Sequence, residues 1–380
     1  MSKIGICVKN LTSGGAEKQA VMLANVLAPF HQVDFIILNG EKVHKKYFDM
    51  LRKEVNVVKF AGDRSDRIAH YREYVKTSAP DIIFSYLTAA NYYSVKASRG
   101  TKTKVVTGLR NSRLPLTKHV ADAILNRHGA VASVSNCESG KRHFAHTGFK
   151  GSRIEVIPNC FDPIDDYRER GVKDTVEVIT VGRFVAQKDY ATAIKAIAAA
   201  SRSCPQLRFK IIGYGELEKQ VRAWVAEAGI EDITTILINS DHITDELREA
   251  DIYLSTSLFE GISNSIMEGM NADMPIVATS VGDNPMLVED GVNGYLTAKG
   301  DYEALARHIG ALAADAGLRR EMGRKSKEIL RAKFNKALFA ERYNELITLD
   351  PNLFNLFSLK DIASLLNITP THLSRLRKSK

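Results

Sequence analysis

Val176-Glu177-Val178-Ile179-Thr180-Val181-Gly182-Arg183-Phe184-Val185-Ala186-Gln187-Lys188-Asp189 is the stretch that decides the fold. It opens on a β-like run, Val176–Val181, and starts a second series of strands midway along the chain. Further strands are predicted at Arg208–Ile212, Thr234–Ile238, Asp251–Ser255 and Pro275–Ala278. Upstream, a first series reads as strands at Lys3–Val8, Val33–Leu38, Asp81–Tyr86, Lys104–Gly108 and Ala130–Val134, with helices such as Ala16–Leu27 and Arg67–Thr77 between them. Short strands alternating with helices predict parallel sheets covered on both faces, an α/β protein. Two such series predict two Rossmann-like, doubly wound domains facing each other across a cleft. The polar segment Asp162–Asp174 separates them. The expected division is therefore 1–162, a linker at 163–174, and 175–348 closed by a helix over 334–348, followed by a tail at 351–380.

Bulk properties narrow the class. The chain has 380 residues, 44% hydrophobic and 26% charged, as soluble globular proteins have. No stretch has the roughly 18 uninterrupted apolar residues of a membrane span. The start, Met1-Ser2-Lys3-Ile4-Gly5-Ile6, runs directly into a strand and does not read as a signal peptide. Cys7, Cys137, Cys160 and Cys204 lie far apart without a C-x-x-C pair, which suggests neither a zinc site nor a disulfide framework and fits a reducing cytoplasm. The net charge of +9 is uneven: +13 over residues 1–160, −8 over 161–350 and +4 over 351–380. A basic first half points to an anionic membrane surface or a phosphate-bearing substrate.

Three constellations carry chemistry. Thr12-Ser13-Gly14-Gly15-Ala16-Glu17 follows the first strand and opens a helix. Its glycines let backbone approach a ligand, and a helix N-terminus favours an anion. In the second, Arg183 and Lys188 project from a strand end, two fixed cations suited to neutralising a diphosphate and its departure. The third is Phe259-Glu260-Gly261-Ile262-Ser263-Asn264-Ser265-Ile266-Met267-Glu268-Gly269-Met270. Here a loop able to offer free N–H groups leads into a helix starting near Asn264, with Glu268 expected two turns in. Carboxylates accept paired hydrogen bonds from vicinal hydroxyls, the groups that sugars and riboses present.

Taken together, Gly182-Arg183-Phe184-x-x-x-Lys188 and Glu260-x7-Glu268 resemble the retaining glycosyltransferases of family 4, with the GT-B fold. The likeness runs over about residues 1–348 and takes in Gly14-Gly15-Ala16-Glu17, Ile157-Pro158-Asn159-Cys160-Phe161-Asp162, Gly213-Tyr214-Gly215-Glu216 and Asp290-Gly291-x-x-Gly294. The resemblance implies a nucleotide-sugar donor as substrate, UDP-linked by preference, with no cofactor and no metal. It implies that Arg183 and Lys188 bind the donor diphosphate and that Glu260 holds donor-sugar hydroxyls. It implies further that the amides of Gly261, Ile262, Ser263 and Asn264 line that sugar, that Glu268 binds the ribose, and that Ile238 and Asn239 meet the nucleobase through backbone. Gly14 and Gly15 would close on the phosphates. Transfer in such enzymes retains anomeric configuration by same-face displacement, without a protein nucleophile.

Two departures qualify the likeness. Thr107-Gly108-Leu109-Arg110-Asn111-Ser112-Arg113 stands where many relatives carry a His, and Arg-Asn-Ser there resembles bacterial members that extend polyprenyl-diphosphate-linked glycans. Arg110 and Asn111 are then acceptor-binding candidates. Val281-Gly282-Asp283-Asn284-Pro285 departs from the usual Gly-Gly-x-x-Glu. A lipid-linked glycan acceptor also gives the basic half a use. Lys42, Lys45, Lys46, Arg64, Arg67, Arg72 and Lys76, with Tyr47, Phe48, Tyr71 and Tyr74, form an expected docking face for a peripheral enzyme on the inner face of the plasma membrane. The tail, residues 358–378, resembles the helix-turn-helix of catabolite-activator-type regulators. About 30 residues support no independent core, so it is read as a helical appendage, with nucleic acid disfavoured as a partner. The alternatives are a sugar-nucleotide epimerase of similar architecture, needing no lipid acceptor, and a DNA-binding regulator acting through the tail. The paired cations and carboxylates disfavour both.

Overall fold

The computed structural model describes residues 1–12, 14–110, 113–161 and 173–348. The chain divides into two compact units: 1–135 with 141–157 and the chain from Ala337 onward, and 136–140 with 158–336. The expected linker at 163–174 and the tail lie almost wholly outside the described residues. Among the described residues no helix is long and apolar enough to cross a membrane.

In the first unit the strands are β1 (Lys3–Val8), β2 (Gln32–Ile37), β3 (Asn56–Lys59), β4 (Ile82–Tyr86), β5 (Lys104–Leu109), β6 (Ala132–Ser135) and β7 (Ile154–Val156). Among the described residues they form a seven-stranded parallel sheet, ordered β3-β2-β1-β4-β5-β6-β7. Apolar residues fill both of its faces: Ile4, Ile6, Phe35, Ile36, Ile83 and Phe84 are all buried. Such near-continuous apolar runs are what a sheet covered on both sides requires.

The helix Lys336–Thr348 corrects the expected domain boundary. It belongs to the first unit and does not close the second. Phe339, Tyr343 and Leu346, spaced as one helical face, are its buried residues. Tyr343 meets Phe84 edge-on at 5.1 Å. That apolar stripe finds its partner at β4, a pairing across more than 250 positions of sequence that local pattern does not reveal.

The second unit holds β8 (Val176–Arg183), β9 (Leu207–Tyr214), β10 (Thr234–Ile238), β11 (Ile252–Ser255), β12 (Ile276–Thr279) and β13 (Gly294–Thr297). They form a parallel sheet ordered β10-β9-β8-β11-β12-β13. In this sheet β8 lies between β9 and β11, so the chain leaves the carboxyl ends of β8 and β11 in opposite directions. Open α/β sheets bind ligands at such a switch point. The first sheet has the corresponding break between β1 and β4.

Candidate functional site

The carboxyl end of β8 is held by packing from several sides. Phe184 is fully buried and meets Tyr190 edge-on at 5.1 Å, which turns the preceding Arg183 outward to solvent. Phe184 N–H donates to Tyr214 O at 2.7 Å, and Leu217 N–H donates to Phe184 O at 3.0 Å. Gly213 faces Gly182 across the β8–β9 pair so closely that a Cβ there meets the Phe184 ring at 2.7 Å. The hydroxyl of Tyr190 donates to Gly182 O (2.8 Å), and that of Tyr253 donates to Val181 O (3.3 Å). Burial holds both phenols well above their ordinary titration range, so they remain neutral donors.

Beyond this anchor the chain turns over Ala186–Lys188 and enters the helix Tyr190–Ser201 through Asp189, which has left-handed backbone (φ 46°) and caps the helix by accepting from Thr192 N–H. Its carboxylate accepts from the Thr192 hydroxyl at 2.6 Å. Thr256, just beyond β11, donates its hydroxyl to Lys188 O and Asp189 O at 2.9 Å each. Leu258 N–H donates to Gln187 O at 2.8 Å, and the Gln187 side chain donates to Phe259 O at 2.8 Å. These bonds join the loops after β8 and β11 across the switch point. At their centre Lys188 Nζ lies 2.5 Å from Glu260 Oε1, with the two side chains 19% and 11% exposed. The Ser257 hydroxyl adds a second contact to Glu260 Oε1, donating to it at 2.7 Å.

Past Glu260 the loop offers donors. Among the described residues no backbone bond takes up the N–H groups of Gly261, Ile262, Ser263 or Asn264. Ile262 sends its side chain into the core, and Ser263 caps the helix Asn264–Asn271 by accepting from Ile266 N–H. Asn264 accepts from the Asn159 amide at 2.6 Å, which ties Pro158-Asn159 to this loop. Glu268 is the fifth of the eight helical residues, so it sits just over one turn in and not two. The next residue, Gly269, lies on the Tyr253 ring, where a Cβ stands 2.6 Å from Cγ.

The sequence departure at Val281-Gly282-Asp283 has a structural use. Gly282 is left-handed (φ 57°) and lies against the Glu260 carbonyl, and Asp283 N–H donates to Gly261 O at 3.1 Å. The Asp283 carboxylate accepts the N–H groups of Glu138 (2.6 Å) and Ser139 (2.9 Å). This loop therefore supports the Glu260 loop from behind. Sequence reasoning missed Gly282, Thr256, Tyr190, Tyr253 and Gly269; a small or hydroxyl residue gives no signal until its neighbour across the sheet is known.

The other expected residues divide between the two units. Ile238 ends β10, and Asn239 follows in left-handed backbone (φ 51°) with its N–H already given to Gly213 O at 3.2 Å. In the first unit Gly14 and Gly15 open the helix Gly15–Leu27 at the end of β1. Glu17 folds back beside Gly14 and accepts from the Thr12 hydroxyl at 2.9 Å, so an acid of this chain already stands at that helix start. Arg110 is buried, with its guanidinium 4.2 Å from the Tyr86 ring centroid and donating to the Tyr343 hydroxyl at 3.2 Å. Asn111 lies outside the described residues.

The part of the expected docking face on the helix Arg64–Ser78 needs correction. Tyr71 is fully buried, stacked with Tyr74 at 6.4 Å, and Tyr74 donates to Asp34 at 2.5 Å. The helix Arg64–Ser78 turns these aromatics into the unit, so its outer face is charged but not apolar.

Two Rossmann-like domains, with Arg183 ending β8, Lys188 paired to Glu260 across the switch point and Glu268 on the helix that follows, define a glycosyltransferase of the GT-B class. The family models agree: residues 13–164 match Glycosyltransferase Family 4, and residues 164–329 match Glycosyl transferases group 1. The chain belongs to these glycosyltransferase families. Neither match reaches the tail, and nothing supports its likeness to a helix-turn-helix. Among curated relatives is an undecaprenyl-diphosphate-glycan α-1,4-N-acetyl-D-galactosaminyltransferase of Campylobacter jejuni, 24% identical over 86% of this chain and 93% of that protein. The lipopolysaccharide core biosynthesis glycosyltransferase LpsE of Rhizobium meliloti is 23% identical over 89% of this chain and 97% of its own. Among solved structures, Anabaena HepE in complex with UDP superposes with a TM-score of 0.77 at 21% identity, covering 91% of this chain and 99% of HepE.

Proposed function

We propose that the protein transfers a hexose or N-acetylhexosamine from a UDP-sugar to a glycan carried on a polyprenyl diphosphate, with retention of anomeric configuration. The observation that carries this reading is the Lys188–Glu260 pair, built by loops from both sides of the β8–β11 switch point beside four uncommitted N–H groups. Arg183 and Lys188 answer the diphosphate. As the bond between the anomeric carbon and the diphosphate oxygen breaks, negative charge grows on that oxygen, and fixed cations stabilise it without reorganising. The acceptor hydroxyl forms the new bond on the same face, and its proton passes to the departing diphosphate. Glu260 holds the donor-sugar hydroxyls, assisted by the amides of Gly261 to Asn264, and Glu268 accepts from the ribose. The two cations do the electrostatic work that a metal does elsewhere, so this reading uses neither a metal nor a cofactor. The undecaprenyl-diphosphate glycan named for the Campylobacter relative supports the acceptor class, and the UDP complex of HepE supports the donor class. A lipid-linked acceptor places the enzyme peripherally on the cytoplasmic face of the plasma membrane.

A thermal-shift panel of UDP-, GDP- and ADP-sugars tests the donor. Stabilisation by UDP-sugars alone is expected, and selective stabilisation by GDP- or ADP-sugars contradicts the choice of base. The product's anomeric configuration, read by NMR, tests retention; an inverted linkage overturns it.

A further inference from the structure

The helix Leu116–His128 of the first unit turns a row of apolar side chains into solvent. Leu116, Val120 and Ile124 stand four residues apart, one above another on a single helical face. They are 78%, 49% and 56% exposed. The opposite side is fixed: Asp122, Ala123, Leu125 and Asn126 are its buried residues. Asp122 accepts from the Thr88 hydroxyl (2.6 Å) and the Asn91 amide (2.9 Å), while Asn126 donates to Ser133 (3.0 Å) and accepts from Lys150 N–H (2.7 Å). These bonds set the helix rotation, so the apolar row faces outward by construction of the fold. The outward face of a surface helix is ordinarily polar.

The surrounding charge has one sign. From Arg113 to Arg153 there are seven Lys and Arg against two acids, and one of those acids, Asp122, is buried. Arg113, Lys118 and Arg127 are exposed before or along the helix. The neighbouring segment, whose His143 ring lies 5.9 Å from His119, adds exposed Arg142. An apolar row rimmed by cations complements the boundary between acyl chains and anionic headgroups.

We propose that this helix is the membrane-docking face, seating Leu116, Val120 and Ile124 among the headgroups of an anionic bilayer with Arg113, Lys118, Arg127 and Arg142 on lipid phosphates. It takes the place of the Arg64–Ser78 face, whose aromatics are turned inward. Its purpose rests on the reading of a lipid-linked acceptor given above, but the docking is measured without any acceptor.

The test uses the full chain in vesicle co-sedimentation, with phosphatidylcholine alone and with about one third phosphatidylglycerol added. A Leu116→Ser/Val120→Ser/Ile124→Ser variant is run alongside, with the thermal shift on UDP measured for both proteins. Wild type is expected to bind anionic vesicles at least about tenfold better than neutral ones, and the variant to lose about tenfold or more with its UDP shift intact. Equal vesicle binding by variant and wild type overturns the proposal, as does equal binding to both vesicle types. A concentration-dependent dimer without vesicles, abolished in the variant, also overturns it by assigning the face to a second copy. Vesicle binding as expected with no UDP shift in either protein leaves the docking face standing and sinks the proposed donor instead.

Discussion

Gly282→Ala perturbs the site from a residue that touches no proposed substrate. Gly282 has φ 57°, and a Cβ there meets the Glu260 carbonyl oxygen, lies 2.8 Å from Glu260 C and 3.0 Å from Gly261 O. Left-handed backbone costs a non-glycine residue about 1–3 kcal/mol. Carbon contacts are comfortable near 3.5 Å, so the Glu260 carbonyl must recede by about 0.7 Å. That displacement reaches the carboxylate on the same residue, which Lys188 holds at 2.5 Å and Ser257 at 2.7 Å. A misplacement of about 1 Å at reacting groups costs about a hundredfold in rate. The expected result is a fall in turnover of about 10- to 100-fold, with a loss of about 2 kcal/mol in stability. In a unit the size of the second one the Tm then falls by about 4–8 °C. Circular-dichroism melts and UDP release from the UDP-sugar, measured with acceptor at 25 °C, read the two effects. Turnover within about twofold of wild type would refute the claim that this loop sets the Glu260 geometry.

Other perturbations follow from the same contacts. A double-mutant cycle of Lys188→Met and Glu260→Gln, read by denaturant unfolding without donor, should show coupling of about 1–3 kcal/mol; additive effects contradict a structural pair. Gly269→Ala puts a methyl 2.6 Å from Tyr253 Cγ, so it should lower both Tm and UDP affinity by lifting the helix that carries Glu268, and an unchanged affinity contradicts this. Burial raises the Asp122 carboxyl above its ordinary 3.8, against the lowering by Thr88 and Asn91. A raised folded-state value means a stability contribution present below 3.8 and lost as pH rises through the folded value. The stability of wild type relative to Asp122→Asn should therefore decline as pH rises from about 4 toward neutrality, and a difference that grows with pH contradicts the assignment.

Much of the fold was legible because buried parallel strands are locally distinctive. β1 and the edge strand β10 fall where the runs Lys3–Val8 and Thr234–Ile238 placed them, and the remaining interior strands lie within a few residues of expectation. The strands not foreseen, β3, β7 and β13, are all at sheet edges. They are only three or four residues long and part-exposed, so their side chains lack a continuous apolar run. Of the candidate site the charges were legible one by one: Lys188 and Glu260, singled out for separate roles, meet although 72 positions separate them. Its supports were not, since Thr256 and Gly282 act through backbone approach. Amphipathic direction misled at the helix Arg64–Ser78, where aromatics among cations read as an outer face. Tyr71 and Tyr74 instead follow the core with Val75, and the rim of Arg64, Arg72 and Lys76 is left to solvent.

In the proposed function Lys188 and Glu260 form the working centre for a UDP-sugar. UDP release in the presence of a polyprenyl-diphosphate-linked glycan, compared between wild type, Lys188→Ala and Glu260→Gln, tests it most directly. Fast release by wild type, and a loss of at least about a hundredfold in each folded variant, is predicted. Near-normal release in either variant contradicts the account.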